Sequence, residues 1–169
     1  PQPHGDAVLG LEFSPTGDRL ASAAADRAVR VFTVETGSLL QTFEGHAQHV
    51  LGVGWRADGR LLASAGADGA VKSWDLVRGE VRRSHPPLAG EVTGIRYLGG
   101  TDTLVATAAD GRVHSRTSDA GNTNSFTGGD SCLHTIAVSR MGRVIAAGDE
   151  NGRVHVWDST GKPLASFDP

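Results

Sequence analysis

The chain reads as all-β, four copies of one short unit laid end to end, on the strength of its spacing, its turn residues and its alternation. Asp26, Asp68 and Asp110 stand 42 residues apart and Asn151 follows 41 later, each at the same point of a shared pattern. The copies read AADRAVRVFT, GADGAVKSWD, AADGRVHSRT and DENGRVHVWD. In each, an acidic or amide residue opens a turn before a short β-branched run ending in a large side chain. A repeat of about 40 to 45 residues is the period of a four-stranded propeller blade. Helical periodicity is absent, and the 23 glycines fall in register between β-rich runs, marking turns rather than disorder.

In the first copy, Val8 to Phe13, Arg19 to Ala23, Val29 to Thr33 and Ser38 to Phe43 are expected strands. In the second, His49 to Trp55 alternates, RADG turns, Arg60 to Gly66 forms a second strand, ADG turns again, and AVKSWD is a third. VRG then turns into EVRRS, the fourth. The layout returns from Leu133 to Phe167, which predicts sixteen short strands in all. Gly and Asp sit where tight turns need positive φ or a side chain that bonds its own backbone. The predicted blades are 4–44, 45–87, 88–127 and 128–169 of a single propeller segment spanning 1–169.

Composition removes several function classes. Four units of 42 account for 168 of the 169 residues, which leaves no room for a separate catalytic domain. Net charge is −3 and the 16 Lys and Arg are spread through all copies, so no nucleic-acid surface is expected. No apolar run approaches the ~18 residues of a spanning helix, and PQPHGDAV lacks the regions of a signal peptide, so no membrane contact is expected. The missing initiator Met suggests an excised or processed segment. Cys132 is the one cysteine, which rules out an internal disulfide and leaves the compartment open, with the cytoplasm mildly favoured. Arg in excess of Lys and abundant Ala hint at a GC-rich bacterial genome.

The residues also carry a family resemblance. Gly45-His46 opens the second copy, Trp74-Asp75 closes its third strand, and Trp157-Asp158 does the same in the fourth. With SPTGDRLASAAAD, RADGRLLASAGAD and SRMGRVIAAGDEN, the whole chain resembles WD-repeat (WD40) proteins. The resemblance implies that His46, Ser64, Asp68 and Trp74 form a structural hydrogen-bonded chain, from indole NH to hydroxyl to imidazole to carboxylate. The first copy keeps His4, Ser22 and Asp26 but has Phe32 for Trp. The third has Leu88, Ala106 and Arg116 around Asp110, and the fourth keeps Trp157 with Gly129, Ala147 and Asn151. Blade three is therefore the expected weak point. Arg116 either snorkels to the rim and pairs with Asp110 or Asp119, or serves as a partner-binding cation.

Little chemistry is legible. His46 and His49 have metal-like spacing, yet nothing completes a ligand set, and neither metal nor cofactor is expected. Cys132 and His134 are two apart, on one strand face, where a small buried residue is the ordinary occupant. Asp149 and Glu150 are neighbouring turn acids expected to be solvated. Arg30, Lys72, His114 and His155 share one third-strand site. Their stems would cover apolar surface with the charge in water, or together they would bind something acidic, more weakly in salt.

Blade counting leads to function. WD-type wedges suit about seven or eight per ring, so four make roughly half a disc, whose end faces would each expose on the order of 500 Å². Two such faces buried in each of two partners outweigh an association cost of about 4 to 15 kcal/mol. The expected outcome is a homodimer of eight blades, with blade four of each chain on blade one of the other. Every blade is complete within its own sequence, so the copies would join face to face without strand exchange. The rival is a piece of a longer protein whose remaining blades, or an attached catalytic domain, complete ring and activity. The resemblance implies a non-enzymatic scaffold for an unknown protein or peptide. Candidate contacts are His49, Trp55 and Arg56 in the second blade, Glu91, Arg96 and Arg116 in the third, and Glu150 in the fourth.

Overall fold

A computed structural model describes residues 3–117 and 123–169, and within them there are only strands, turns and loops. Sixteen strands form four antiparallel sheets, each a simple up-and-down meander. The first holds β1 (Val8–Phe13), β2 (Arg19–Ala24), β3 (Ala28–Thr33) and β4 (Leu39–Glu44). β5 (Val50–Trp55), β6 (Leu61–Gly66), β7 (Val71–Asp75) and β8 (Glu80–Ser84) make the second. The third comprises β9 (Val92–Tyr97), β10 (Thr103–Ala108), β11 (Arg112–Thr117) and β12 (Thr123–Thr127). β13 (Leu133–Val138), β14 (Val144–Asp149), β15 (Val154–Asp158) and β16 (Pro163–Phe167) complete the set.

The sheets stand side by side through their first strands, β1 beside β5, β5 beside β9 and β9 beside β13. Leu9 and Leu11 of β1 border the same cavity as His134 and Ile136 of β13, so the row bends into an arc around a common axis. The core lies between sheets rather than within one. Val29 and Val31 of sheet one meet Val50, Trp55 and Trp74 of sheet two. Val71 meets Ile95 and Leu104 at the next junction, and Val113 meets Ile136 and Trp157 at the last. β8 and β16 are outer strands with mostly exposed residues.

Close approach of the first strands depends on glycine. A Cβ on Gly10 would lie 3.2 Å from the Gly52 Cα, and one on Gly52 would lie 3.3 Å from the Gly94 Cα. Each first strand also slips register by one residue near its start, at Leu9, Leu51, Thr93 and His134. A bulge there tightens the local twist where strands crowd toward the axis. His134 is thus the bulged residue and Cys132 precedes the strand, so the two do not share a strand face.

Candidate functional site

Blade two contains a continuous polar chain. The Trp74 indole Nε1 donates to Ser64 Oγ at 2.8 Å, the hydroxyl lies 2.7 Å from His46 Nε2, and His46 Nδ1 is 3.1 Å from both Asp68 oxygens. Asp68 also accepts from the backbone of Ala47 (2.8 Å) and Ala70 (3.0 Å), pinning the strand-entry loop to the turn before β7. Burial opposes ionisation of Asp68, but these hydrogen bonds outweigh it and hold the carboxyl below its usual range. Burial pushes the His46 imidazole down despite Asp68, so it is neutral at pH 7 and can donate on one nitrogen while accepting on the other.

Elsewhere the chain is rebuilt. In blade one, His4 bonds Asp26 (3.0 Å) and Ser22 (2.6 Å), and Arg30 pairs with Asp26 at 2.6 Å. In blade three, Asp110 accepts from His114 at 2.8 Å, while Leu88 and Ala106 join the apolar core. In blade four, Asn151 donates to Ser131 at 2.5 Å, and Asp149 takes the carboxylate's part, bonding His155 at 3.1 Å. The His155 hydrogen bond holds the Asp149 carboxyl low, so this acid is engaged rather than simply solvated. The third-strand column is not a ring of free cations either. Arg30, His114 and His155 each face an acid of their own blade, and Lys72 bonds Ser84.

Arg116 is the sharpest departure from expectation. It is 9% exposed, neither at the rim nor offered to a partner, and donates from Nη1 to the Pro86 carbonyl oxygen at 2.5 Å. Its Nε has no hydrogen-bond partner among the described residues. Asp110 pairs with His114 instead, and Asp119 lies outside the described residues. The position explains the burial. At two junctions a fourth-strand residue of one blade meets the third-strand residue of the next: Phe43 on Trp74 (centroids 5.0 Å apart) and Phe126 on Trp157 (5.2 Å). The equivalent pair between blades two and three is His85 and Arg116. Burial and then the Arg116 charge push His85 down to about 4.

The other candidate contacts divide into exposed and committed. His49, Glu91 and Glu150 are exposed at one end of the blades, where the strand-entry loops and the turns after each second strand meet. Glu150 also accepts from the Cys132 backbone at 3.3 Å. Trp55 is 6% exposed, its indole donating to the Glu12 carbonyl oxygen at 3.0 Å, and so it is core rather than contact surface. Arg56 is held by Asp58 at 2.5 Å and by Asp102 of blade three. Arg96 pairs with Glu12 at 3.2 Å and donates to the Val53 carbonyl at 2.9 Å, so three blades are tied at the axis. Glu12 carried no signal in the sequence, because its partners Trp55 and Arg96 belong to the next two blades. Beside this pair opens a cavity of about 570 Å³, lined by Phe13, Pro15, Trp55, Tyr97, Ile136 and Val138 together with Arg140. The arc's axis thus offers a groove of mixed polar and apolar lining that includes one ion pair.

Burial, and behind it the charge of Glu150, push the Cys132 thiol up, away from the thiolate a nucleophile requires. Among the described residues no three His, Cys, Asp or Glu side chains are grouped to hold a metal ion, and no helix is long and apolar enough to cross a membrane.

Comparison with known proteins bears on this architecture directly. The WD domain, G-beta repeat model matches residues 37–75 and 121–158, and the anaphase-promoting complex subunit 4 WD40 domain model matches 1–55. Striatin-4 of Homo sapiens is 57% identical over 35 residues, 21% of this chain and 5% of that protein. Striatin-4 of Mus musculus is 66% identical over 29 residues, 17% of this chain and 4% of that protein. These matches span a small part of either relative. Both are mammalian and lend no support to a bacterial source. With four meander sheets and WD40 models on 1–75 and 121–158, the chain belongs to the WD-repeat family.

Proposed function

We propose that this chain is a non-catalytic scaffold for protein–protein interaction whose ring is completed by a second copy, giving eight blades. One observation carries the reading: both ends of the arc present apolar sheet faces to solvent. On blade one, Leu11 is 58% and Phe13 61% exposed, and on blade four Val154 is 40% and Phe167 59% exposed. Apolar faces on this scale mark interaction surfaces. The axial groove, closed into a channel by the second copy, is the proposed site for a peptide or protein segment, with the partly exposed Arg96 and Arg140 as its contacts. His49, Glu91 and Glu150 form a second, polar contact zone at the blade ends.

Light scattering coupled to size exclusion tests the assembly. A mass twice the 17.6 kDa of the chain is expected. A stable monomer would overturn self-association and favour the rival, in which further blades of a longer polypeptide cover the same faces.

A further inference from the structure

The two free faces of the arc are complementary halves of a junction that the chain already builds inside itself. Blade one holds blade two with Ala21, Ala23, Val29, Val31 and Phe43, all buried. The corresponding residues of blade four are Ala146, Gly148, Val154, Val156 and Phe167, nearly the same surface, yet here Val154 and Phe167 are exposed. What blade one's rear face receives from blade two is Val53, Trp55, Leu62 and Trp74. One repeat earlier, the front face of blade one offers Leu11, Phe13, Leu20 and Phe32, the same row of large apolar groups. Cross-strand pairing of Phe13 with Leu20, Leu20 with Phe32 and Phe32 with Leu39 puts them on one face of the sheet.

We infer that blade four of one copy receives blade one of the other head to tail, with Phe167 of each packed on Phe32 of its neighbour as Phe43 packs on Trp74. The inference rests on the self-association proposed above and adds its register. Each aromatic junction pairs a fourth-strand ring with the next blade's third-strand ring, and Phe167 and Phe32 are the two rings of that series left over at the ends. A head-to-tail contact closes after two copies where each arc takes up half a turn, as the eight-blade ring proposed above requires.

One position departs from the internal pattern. Gly10, Gly52 and Gly94 admit the neighbouring first strand, whereas blade four has Thr135 at that point, paired with Gly148 in place of the Gly-Ala pairs of blades one and two. A Cβ on Gly148 would lie 3.2 Å from Thr135 Cγ2, so the two residues have exchanged volume. The seam between copies is therefore wider at the axis than the junctions within a copy.

The test uses Phe32→Lys and Phe167→Glu, measured by light scattering alone and mixed, with far-ultraviolet circular dichroism as the check on folding. Each variant alone should lose affinity for itself by about 30-fold or more. Mixing them should restore the dimer, because one seam is then intact and the other brings the introduced ammonium opposite the introduced carboxylate. Recovery on mixing excludes pairing of like ends, which places no such charges together. A parent dimer that survives either single change, or variants that stay apart when mixed, would overturn the register while leaving self-association standing. A monomeric parent chain would remove the proposal beneath it. As a second arm, Thr135→Gly with Gly148→Ala rebuilds the internal arrangement and should tighten the dimer about fivefold. Unchanged or weaker association would show that the seam does not repeat the internal junction.

Discussion

Blades two and three descend from one pattern, yet one is locked by a polar chain and aromatic packing while the other is not. In blade two, Trp74 is fully enclosed between Phe43 and its own Ser64, so one side chain serves the sheet's hydrogen bonding and the inter-blade core together. In blade three the same station holds Arg116, whose guanidinium reaches a backbone carbonyl while its Nε goes without a partner among the described residues. The comparison teaches that the repeat tolerates loss of its polar chain where the first and second strands still pack, as Ile95 and Leu104 do. It also teaches that the cost falls on the junction: a buried cation facing a buried imidazole replaces two packed rings.

The largest test of that contrast is Trp74→Ala, which removes a buried indole and its donor to Ser64. A loss of about 3 to 5 kcal/mol is expected in urea unfolding. Arg116→Ala should cost far less, since the guanidinium is poorly compensated where it lies. Equal losses at the two sites would break the comparison.

Acid should act through the His85 junction. The folded imidazole titrates at about 4, below its ordinary value of 6.5, so the unfolded chain binds the extra proton first. Stability is full above about pH 6.5 and falls, by on the order of 3 kcal/mol, as pH drops through that window toward about 4. His85→Phe combined with Arg116→Trp recreates the Phe–Trp junction. That double variant should flatten the titration in a pH series of urea midpoints and raise stability at pH 7 by about 1 to 3 kcal/mol.

The smallest effect concerns a turn. Arg27 has φ of 70°, where the equivalent residues of the other blades are Gly69, Gly111 and Gly152 at 74°, 75° and 84°. A side chain is strained in that left-handed conformation, and Arg27→Gly should stabilise the chain by about 1 kcal/mol in the same assay. No gain would mean that the Arg27 side chain makes up for its backbone.

Much of the architecture was legible because it is local. Alternation and Asp/Gly turns located the strands, with ends such as Leu39 for Ser38 and Val50 for His49 differing by one residue. The bulge near the start of each first strand was invisible, because it answers crowding between neighbouring strands rather than any property of its own residues. At the candidate site, the residues around Trp74 were readable from their repeat positions. The roles of Asp149 and His155 were not, since an acid two residues before the expected one took over the pairing. Trp55 looked like a contact residue because a strand-end Trp can face either way, and only the approach of β1 decided that it is buried.

By itself the amino-acid sequence determined the number of units, their all-β character and the place of nearly every turn, because each depends on contacts within a few residues. Tertiary structure alone decided that Glu12 joins Trp55 and Arg96 at the axis, that Arg116 is shut inside a junction, and that Phe13 and Phe167 lie open at opposite ends of the arc. Those outcomes turn on which blade lies against which face, and a repeat spells out its strands without saying what its two end faces will meet.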